Sequence, residues 1–272
     1  MSTRRKLAIA TWDAPREGNI YGKLTLDAGR VLDWIEEERK RTGEKITITH
    51  VVGKACALAL HRAPTLNGRI FLGSYRPFKD VSVSFLVSVE GGNDLAKALV
   101  QNADVKSVSE LAKELRERSD RLKAGKDDDF EKSKGLLRLL PTWVLRPLVH
   151  LVGWLASCAG LTIKALGVEA FPFGACIITS VGMFGLDEGY APPTPWAHVP
   201  LYVLIGAVRK QPTVVDDRIE VRPLVTLTAT IDHRFIDGYQ GALLAQTMRE
   251  VFADPSILGA AAASVPAAAS AP

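Results

Sequence analysis

A histidine and an aspartate four residues apart lie in a segment whose residue types suit proton transfer. His233 and Asp237 belong to Thr228-Ala-Thr-Ile-Asp-His-Arg-Phe-Ile-Asp-Gly-Tyr239. An imidazole titrates near pH ~6.5 and a free thiol near ~8.5, so a positioned neutral histidine can take a thiol proton near neutrality. The spacing predicts a general base beside an orienting carboxylate, with Arg234 paired to Asp237 and Gly238 allowing a tight turn. A helix cap beside a packed ring is the alternative that this spacing leaves open.

The elements around this segment place the histidine at the end of a strand. Leu224 to Ile231 is rich in β-branched residues and predicts a strand, and Tyr239 to Phe252 has apolar residues at helical spacing. Two further strands and three further helices are predicted upstream: strands over Ile20–Leu26 and Val81–Val89, and helices after Asp27, from about Thr49 and after the capping box Ser107-Val-Ser-Glu110. This mixture of elements predicts an α+β sandwich.

The histidine segment also carries a family resemblance. Asp232-His-Arg-Phe-Ile-Asp-Gly238 resembles the Asp-His-Arg-x-x-Asp-Gly signature of the catalytic domain of 2-oxo-acid dehydrogenase dihydrolipoamide acyltransferases and, more loosely, chloramphenicol acetyltransferase. Thr179-Ser-Val-Gly-Met-Phe-Gly185 is similar to a second motif of that family, in the expected order. Three more segments are similar to family elements, so the resemblance covers most of residues 4–258: Lys45–Leu60, Pro64–Asn67 and Val199–Gly206.

The resemblance implies a fold, an activity and a set of site residues. The fold would be a chloramphenicol acetyltransferase-like two-layer sandwich with a mixed sheet. The activity would be transfer of an acyl group between coenzyme A and the thiol of dihydrolipoamide. The implied catalytic set has His233 as general base, Asp237 holding the loop, and Thr179 donating to the oxyanion, with Ser180 as the alternative donor. Coenzyme A contacts are implied at Ser180, Gly182 and Arg234.

The resemblance further implies an assembly. Family members form trimers with the active-site channel between neighbouring subunits, and many join trimers into closed cages through an apolar C-terminal anchor. Asp254-Pro-Ser-Ile-Leu258 is similar to that anchor, although a helix stop packed on its own subunit is the alternative. We expect no lipoyl or partner-binding domain ahead of the catalytic domain, so the acceptor would be a lipoyl protein or a small thiol supplied in trans.

Two departures from the family pattern bear on function. Asp94 and Ala98 stand where the family usually has glycine and proline, which changes the permitted backbone angles of Asn93–Val100 and predicts an altered channel. An apolar helical segment is inserted at about 130–173. For this insertion we favour a helical hairpin packed on its own or a neighbouring subunit. A membrane-surface or partner-surface helix and a marginal membrane span, through 136–168, are the alternatives.

The composition is that of a globular enzyme. The 272 residues are 47% hydrophobic and 24% charged, and the net charge of +4 comes without a basic tract interleaved with aromatic residues, so no nucleic-acid partner is expected. Cys56, Cys158 and Cys176 lie in apolar stretches and lack metal-ligand spacing, which predicts buried reduced thiols, no metal site and a cytoplasmic chain. We expect one catalytic domain over 1–259 and a disordered Ala/Pro/Ser tail over 260–272.

From the sequence we therefore expect a trimeric acyltransferase that uses acyl-coenzyme A. The competing hypothesis is a self-assembling scaffold or a coenzyme A-binding protein with reduced or no transferase activity. The combination of His233, Asp237 and Thr179 favours the enzyme, because a scaffold needs no base and no oxyanion donor. The insertion and the expected absence of a tethered lipoyl arm favour the scaffold.

Overall fold

The computed structural model describes residues 18–89, 94–123 and 140–259. The predicted tail over 260–272 and the first part of the predicted insertion, up to residue 139, lie outside these ranges. The fold and the candidate site are therefore built from the three described stretches.

One seven-stranded sheet is the central element of the fold. Its strands are β1 Asn19–Asp27, β4 Val83–Val89, β5 Asp94–Val100, β6 Cys176–Ser180, β7 Leu201–Ile205, β8 Arg209–Val215 and β9 Arg218–Asp232; a separate hairpin joins β2 Gly68–Phe71 to β3 Ser74–Pro77. The strands of the sheet lie in the order β1-β9-β7-β6-β4-β5, and β8 pairs with β9 in a hairpin. β4, β6 and β7 run parallel to one another, whereas the pairs β1–β9, β7–β9, β8–β9 and β4–β5 are antiparallel, so the sheet is mixed.

Four helices cover one face of the sheet: α1 Gly29–Thr42, α2 Ile48–Arg62, α3 Val108–Lys123 and α5 Gly238–Ala253. A further helix, α4 Thr142–Gly153, packs through Gly153 against Trp196 and lies outside this layer. The main core lies between this layer and the sheet, where Phe85, Ile178, Leu201 and Ile205 are almost wholly buried. The opposite face of the sheet carries a smaller apolar cluster around Ile177 and Tyr202. Successive side chains of a strand alternate between these two faces.

Most of the predicted elements are confirmed, with the bounds given above. α1 ends at Gly43, whose φ of 73° is a left-handed cap conformation that suits glycine. The Ser107 amide donates to the Glu110 carboxylate and the Glu110 amide donates to the Ser107 hydroxyl, so the predicted capping box opens α3. Asn93–Val100, where the family's glycine and proline are missing, forms edge strand β5 from Asp94 onward.

β9 is longer than the sequence predicts. It begins at Arg218 rather than near Leu224, because it first pairs with β8 in a hairpin. Asp216 and Asp217 both have positive φ, 48° and 60°, as a two-residue hairpin turn requires. The first part of this hairpin is solvent-exposed on both faces, so it lacks the apolar alternation that reveals a half-buried strand.

The described part of the insertion begins with one helix, α4, and the rest of the predicted helical hairpin, up to residue 139, lies outside the described residues. α4 continues into a π-helical turn over Trp154–Cys158, and the chain then returns to β6 without a second long helix. The insertion packs on its own subunit. The Trp154 ring stacks on Phe71 of β2 with centroids 5.7 Å apart, and the Arg69 guanidinium donates to the Cys158 carbonyl at 2.8 Å. Among residues 18–89, 94–123 and 140–259, every helix is too short or too polar to traverse a lipid bilayer.

The segment predicted as a cage anchor also packs on its own subunit. Residues Pro255–Gly259 form a short 3-10 helix after α5, and Leu258 is only 1% exposed within the main core. This arrangement is the helix-stop alternative, since Leu258 is already covered within one chain. The three cysteines, Cys56, Cys158 and Cys176, are buried and unbridged, as predicted.

Candidate active site

The loop that carries His233 is fixed at both ends. The Asp232 amide donates to the Pro200 carbonyl at 2.9 Å, and the His233 amide donates to the Gly18 carbonyl at 3.2 Å. Phe235 and Ile236, two and three residues after His233, are 7% and 5% exposed and anchor the loop in the core. The backbone around the histidine is therefore held by the end of β9 on one side and by buried side chains on the other.

The His233 ring is oriented by a backbone carbonyl. Its Nδ1 lies 2.7 Å from the carbonyl oxygen of Ile236. A carbonyl can only accept a hydrogen bond, so Nδ1 carries the proton in the neutral ring and Nε2 carries the lone pair. The ring is exposed in the single chain. An imidazole fixed in this tautomer, with its basic nitrogen directed away from the loop, has the arrangement that general base catalysis requires.

Asp237 caps α5 and does not orient the ring. Its carboxylate accepts from the Tyr239 amide at 2.9 Å, and its own amide donates to the Gln240 side chain at 3.0 Å, which completes a capping box. The prediction of an orienting carboxylate beside the base is wrong in this respect, because the Ile236 carbonyl takes that role. Asp237 still fixes the loop, since it anchors the first turn of the helix that follows.

Arg234 pairs with Asp232 rather than with Asp237. Its Nε lies 3.0 Å from both carboxylate oxygens of Asp232, and its Nη2 lies 2.5 Å from Oδ2. The Asp232 carboxylate also accepts from the Arg234 amide at 3.0 Å. The predicted Arg234–Asp237 pair is thus replaced by a two-residue clamp around the histidine. The geometric reason is that the Asp237 carboxylate turns toward the α5 amides.

His198 belongs to the electrostatic surroundings of this loop, although its position in the sequence carries no sign of it. Burial lowers the pKa of His198, and the charges of Arg234 and His150 lower it further, whereas Asp232 opposes them. Its backbone has φ of 51°, in the left-handed region. His198 is thus held neutral at neutral pH. In residues 18–89, 94–123 and 140–259, no group of three or more His, Cys, Asp or Glu side chains is arranged to hold a metal ion.

Thr179 lies at the opposite end of the sheet from His233. It pairs in register with Leu204, and Leu204 pairs with Thr228. Thr228 precedes His233 by five residues, which span roughly 17 Å along a strand. Because β9 runs antiparallel to β6, the end of β9 and the end of β6 point to opposite edges of the sheet. A single chain therefore does not bring the predicted base and the predicted oxyanion donor together.

Ser180 and Gly182 accompany Thr179 at that edge. Ser180 follows Thr179 in β6, so the two hydroxyl side chains project from opposite faces of the sheet. Gly182 begins a 3-10 turn that packs tightly on β7, since a Cβ placed there would lie 2.8 Å from the Gly206 carbonyl oxygen. The structure thus gives Gly182 a packing role, and it separates the predicted coenzyme A contacts Ser180 and Gly182 from Arg234.

Several proteins are similar to this chain in sequence. The chain is 27% identical over 212 residues to the dihydrolipoyllysine-residue acetyltransferase component of the pyruvate dehydrogenase complex of Zymomonas mobilis, an alignment that covers 78% of this chain and 38% of that protein. The chain thus spans well under half the length of this relative.

Solved structures show the same fold. The chain resembles the cubic core of the pyruvate dehydrogenase multienzyme complex with a TM-score of 0.66 at 17% identity, covering 95% of this chain and 88% of that one. It also resembles chloramphenicol acetyltransferase with a TM-score of 0.51 at 10% identity, covering 93% of this chain and 95% of that one. These likenesses confirm the predicted α+β sandwich with a mixed sheet.

The family model for the catalytic domain of 2-oxoacid dehydrogenase acyltransferases matches residues 20–135 and 162–260. The match includes the His233 loop and the end of β6, and it omits residues 136–161, which belong to the predicted insertion. By this match over most of its length, the chain belongs to the 2-oxoacid dehydrogenase acyltransferase family, as a catalytic domain.

Proposed function

We propose that the protein transfers an acyl group between coenzyme A and a thiol acceptor such as dihydrolipoamide, with His233 as the general base. The observation that carries this proposal is the hydrogen bond from His233 Nδ1 to the Ile236 carbonyl, which leaves Nε2 as the proton acceptor. Membership of the acyltransferase family supports the reaction class. An imidazole also suits a thiol as the acceptor of its proton near neutrality.

The reaction follows from that tautomer. Nε2 of His233 accepts the proton of the attacking thiol while its sulfur forms a bond to the thioester carbonyl carbon, which gives a tetrahedral intermediate with a negatively charged oxygen. When the intermediate collapses, the bond to the leaving sulfur breaks and the imidazolium returns the proton to that sulfur. The histidine is regenerated, and the same steps in reverse move the acyl group the other way.

Thr179 is the proposed oxyanion donor, and it would come from a neighbouring copy of the chain. The separation of Thr179 and His233 along the sheet supports a site at a subunit interface, where the base of one chain meets the hydroxyl of the next. A donor of this kind typically lowers the barrier by about 3 kcal/mol. Ser180 is the second candidate donor. Ser180 and Gly182 would then border coenzyme A from the neighbour's side of the channel.

Arg234 and Asp237 act on the position of His233. Asp237 fixes the start of α5, and the Arg234–Asp232 pair clamps the residues on either side of the histidine. The Arg234 side chain is 51% exposed, so it also presents positive charge to an anionic coenzyme A at the mouth of the site.

We further propose a homotrimer as the active unit. A closed ring of three interfaces of one kind would give each His233 a neighbouring Thr179. The likeness to a cubic core supports larger cages. Leu258 is covered by its own subunit, so such a cage would need a different contact. The lipoyl or small-thiol acceptor is proposed to arrive in trans, and the three buried, unbridged cysteines support a cytoplasmic location.

The test is acetyl transfer from acetyl-coenzyme A to free dihydrolipoamide. We expect His233→Ala to reduce kcat by at least about a hundredfold, because general base catalysis of this kind contributes that much or more. His61→Ala is the matched control, since His61 pairs with Asp104 away from the loop. The assembled mass of all three proteins is measured first, so that a loss of activity is not a loss of assembly.

Two outcomes would contradict the proposal. Transfer that persists at the wild-type rate in His233→Ala would place the base elsewhere. Coenzyme A binding without transfer to any thiol, by the wild-type protein in its assembled form, would favour the scaffold or coenzyme A-binding hypothesis.

A further inference from the structure

An apolar cavity of about 290 Å³ lies between the sheet and the first half of α5. Small residues create it, because Gly22, Ala229, Gly241 and Ala245 leave the space that larger side chains would fill. The volume is at the small end of the range for ligand pockets. It has room for roughly ten carbon-sized groups, since a water-sized group takes about 30 Å³. The cavity is therefore large enough for a short hydrocarbon chain and too small for a nucleotide.

The cavity reaches the surface at the start of α5, directly after the His233 loop. Asp237 and Gly238 are exposed residues of its lining, and they begin α5. Ile236 contacts both the cavity and the proposed base. This residue lines the cavity, and its carbonyl accepts the hydrogen bond from His233 Nδ1. The loop that carries the proposed base thus borders this apolar space.

The charges around the cavity select against an anionic occupant. The Lys23 ammonium pairs with Glu188, on the face of the sheet where Tyr21 also packs on Tyr190. Asp237, the other charged residue of the lining, directs its carboxylate to the Tyr239 amide. A carboxylate inside the cavity would lose its hydration, would lie near Asp237 and would gain no cation from the lining.

We propose that this cavity is the acyl-chain pocket of the site, taking apolar acyl groups of about four to eight carbons, straight or branched, and rejecting acyl groups that end in a carboxylate. The inference rests on the proposed function, since it names the acyl group that His233 would see. Apolar walls next to the loop of the proposed base fit a thioester whose carbonyl stays at the loop while its chain enters the cavity. The pocket thus sets the substrate class by burial of hydrocarbon.

The first experiment measures binding without turnover. Dissociation constants of acetyl-, butyryl-, hexanoyl-, octanoyl- and succinyl-coenzyme A are determined by calorimetry for the assembled wild-type protein in the absence of any acceptor thiol. We expect the affinity to rise by roughly fourfold per added methylene up to the length of the cavity. Succinyl-coenzyme A is expected to bind more weakly than butyryl-coenzyme A, which has the same number of acyl carbons.

Variants test whether the cavity causes that trend. Ala245→Phe projects a ring into the cavity from α5, and Gly22→Val fills it from β1, where an added Cβ meets only the Ala229 methyl group at 3.9 Å. Both should abolish the dependence on chain length. Ala242→Phe is the matched control, because Ala242 lies on the exposed side of the same helix and should retain the trend.

The results separate the pocket from the reaction. A chain-length dependence that both filling variants remove supports the pocket, even if no thiol accepts the acyl group and the proposed function fails. Equal affinities for all five thioesters, or a trend that both filling variants retain, overturns the pocket, even if acetyl transfer is observed. Tighter binding of succinyl- than of butyryl-coenzyme A overturns the proposed selectivity.

Discussion

At the scale of single residues, the unexpected feature is which group orients the histidine. The sequence pattern places a carboxylate four residues after His233, and the structure uses the carbonyl of Ile236 instead. A carboxylate could take up a proton or share the positive charge of an imidazolium, whereas a neutral carbonyl takes up no proton and fixes the orientation of the ring. The two acidic residues of the loop, Asp232 and Asp237, therefore work through its conformation.

This assignment predicts the effect of removing the Arg234 clamp. In Asp232→Asn the ion pair with Arg234 is lost, the loop loosens, and the His233 ring samples unproductive positions. We expect kcat to fall by roughly ten- to a hundredfold, as misplacement of a catalytic group typically does. The pH at which activity rises should stay the same. Steady-state kinetics over a range of pH values would measure both quantities.

Asp187→Asn is the control for that prediction. Asp187 also pairs with an arginine, Arg209 at 2.8 Å, but in the loop that follows β6. A shift of the pH profile in Asp232→Asn would show that Asp232 acts on protonation and not on position. His233 could be proposed as the base from residue types together with the family resemblance. Its hydrogen-bond partner could not, because the direction of a backbone carbonyl depends on the loop conformation and not on the side chain of Ile236.

At the scale of elements, apolar periodicity predicts the helices and strands that bury one face, and it misses strands that are exposed on both faces. α5 and the core half of β9 were predictable because each buries a regular apolar stripe against the other layer. The β8–β9 hairpin escaped prediction because it stands in solvent, where Val214, Ile219 and Val221 remain exposed. The insertion was predictable as helical from its apolar composition. Its course was not, because the π-helical turn depends on contacts such as that between Trp154 and Phe71.

The start of α2 contains an element whose stability should depend on pH. His50 Nδ1 accepts a hydrogen bond from the Thr47 amide at 3.0 Å, so the cap needs a neutral ring. Burial, followed by the charge of Arg39, lowers the pKa of His50 to about 4 from its ordinary value of 6.5. Between these two values the unfolded chain binds a proton that the folded chain does not. The free energy of unfolding should therefore fall as the pH is lowered from 6.5 to 4.

His50→Gln isolates this contribution. Glutamine at the same helix position retains an oxygen that can accept from the Thr47 amide, and it does not titrate. We expect the variant to lose the decline that is specific to His50, while declines due to carboxylates remain in both proteins. Urea unfolding at several pH values measures the difference between wild type and variant. Parallel curves over the whole window would show that His50 does not titrate differently in the two states.

At the scale of the whole molecule, the direction of the strands decides where a complete site can form. β6 and β9 run in opposite directions through one sheet, so Thr179 and His233 mark its opposite edges. Sequence motifs cannot show this separation, because the order of two motifs along the chain does not tell at which edge of the sheet each motif lies. The proposed site is completed by a second copy of the chain.

Mixed assemblies test that inference. His233→Ala and Thr179→Val are each expected to have low activity when assembled alone. Co-assembly of the two variants in equal amounts should restore about a quarter of the wild-type sites, because each interface then has an even chance of receiving each intact residue. Activity of mixtures made by refolding together, compared with mixtures of preassembled variants, is the measurement. Restoration in neither mixture would contradict a site shared between two copies of the chain.

The antiparallel course of β9 has a consequence for the life of the protein in the cell. A newly made chain that has folded but met no other copy holds two half-sites facing away from each other. Under the proposed function, such a chain would leave acyl-coenzyme A unreacted, and catalysis would begin only when neighbouring copies complete the site. During synthesis, activity should therefore rise more steeply than in direct proportion to the concentration of the chain. The strand directions of one sheet would then make acyl transfer depend on completed assembly.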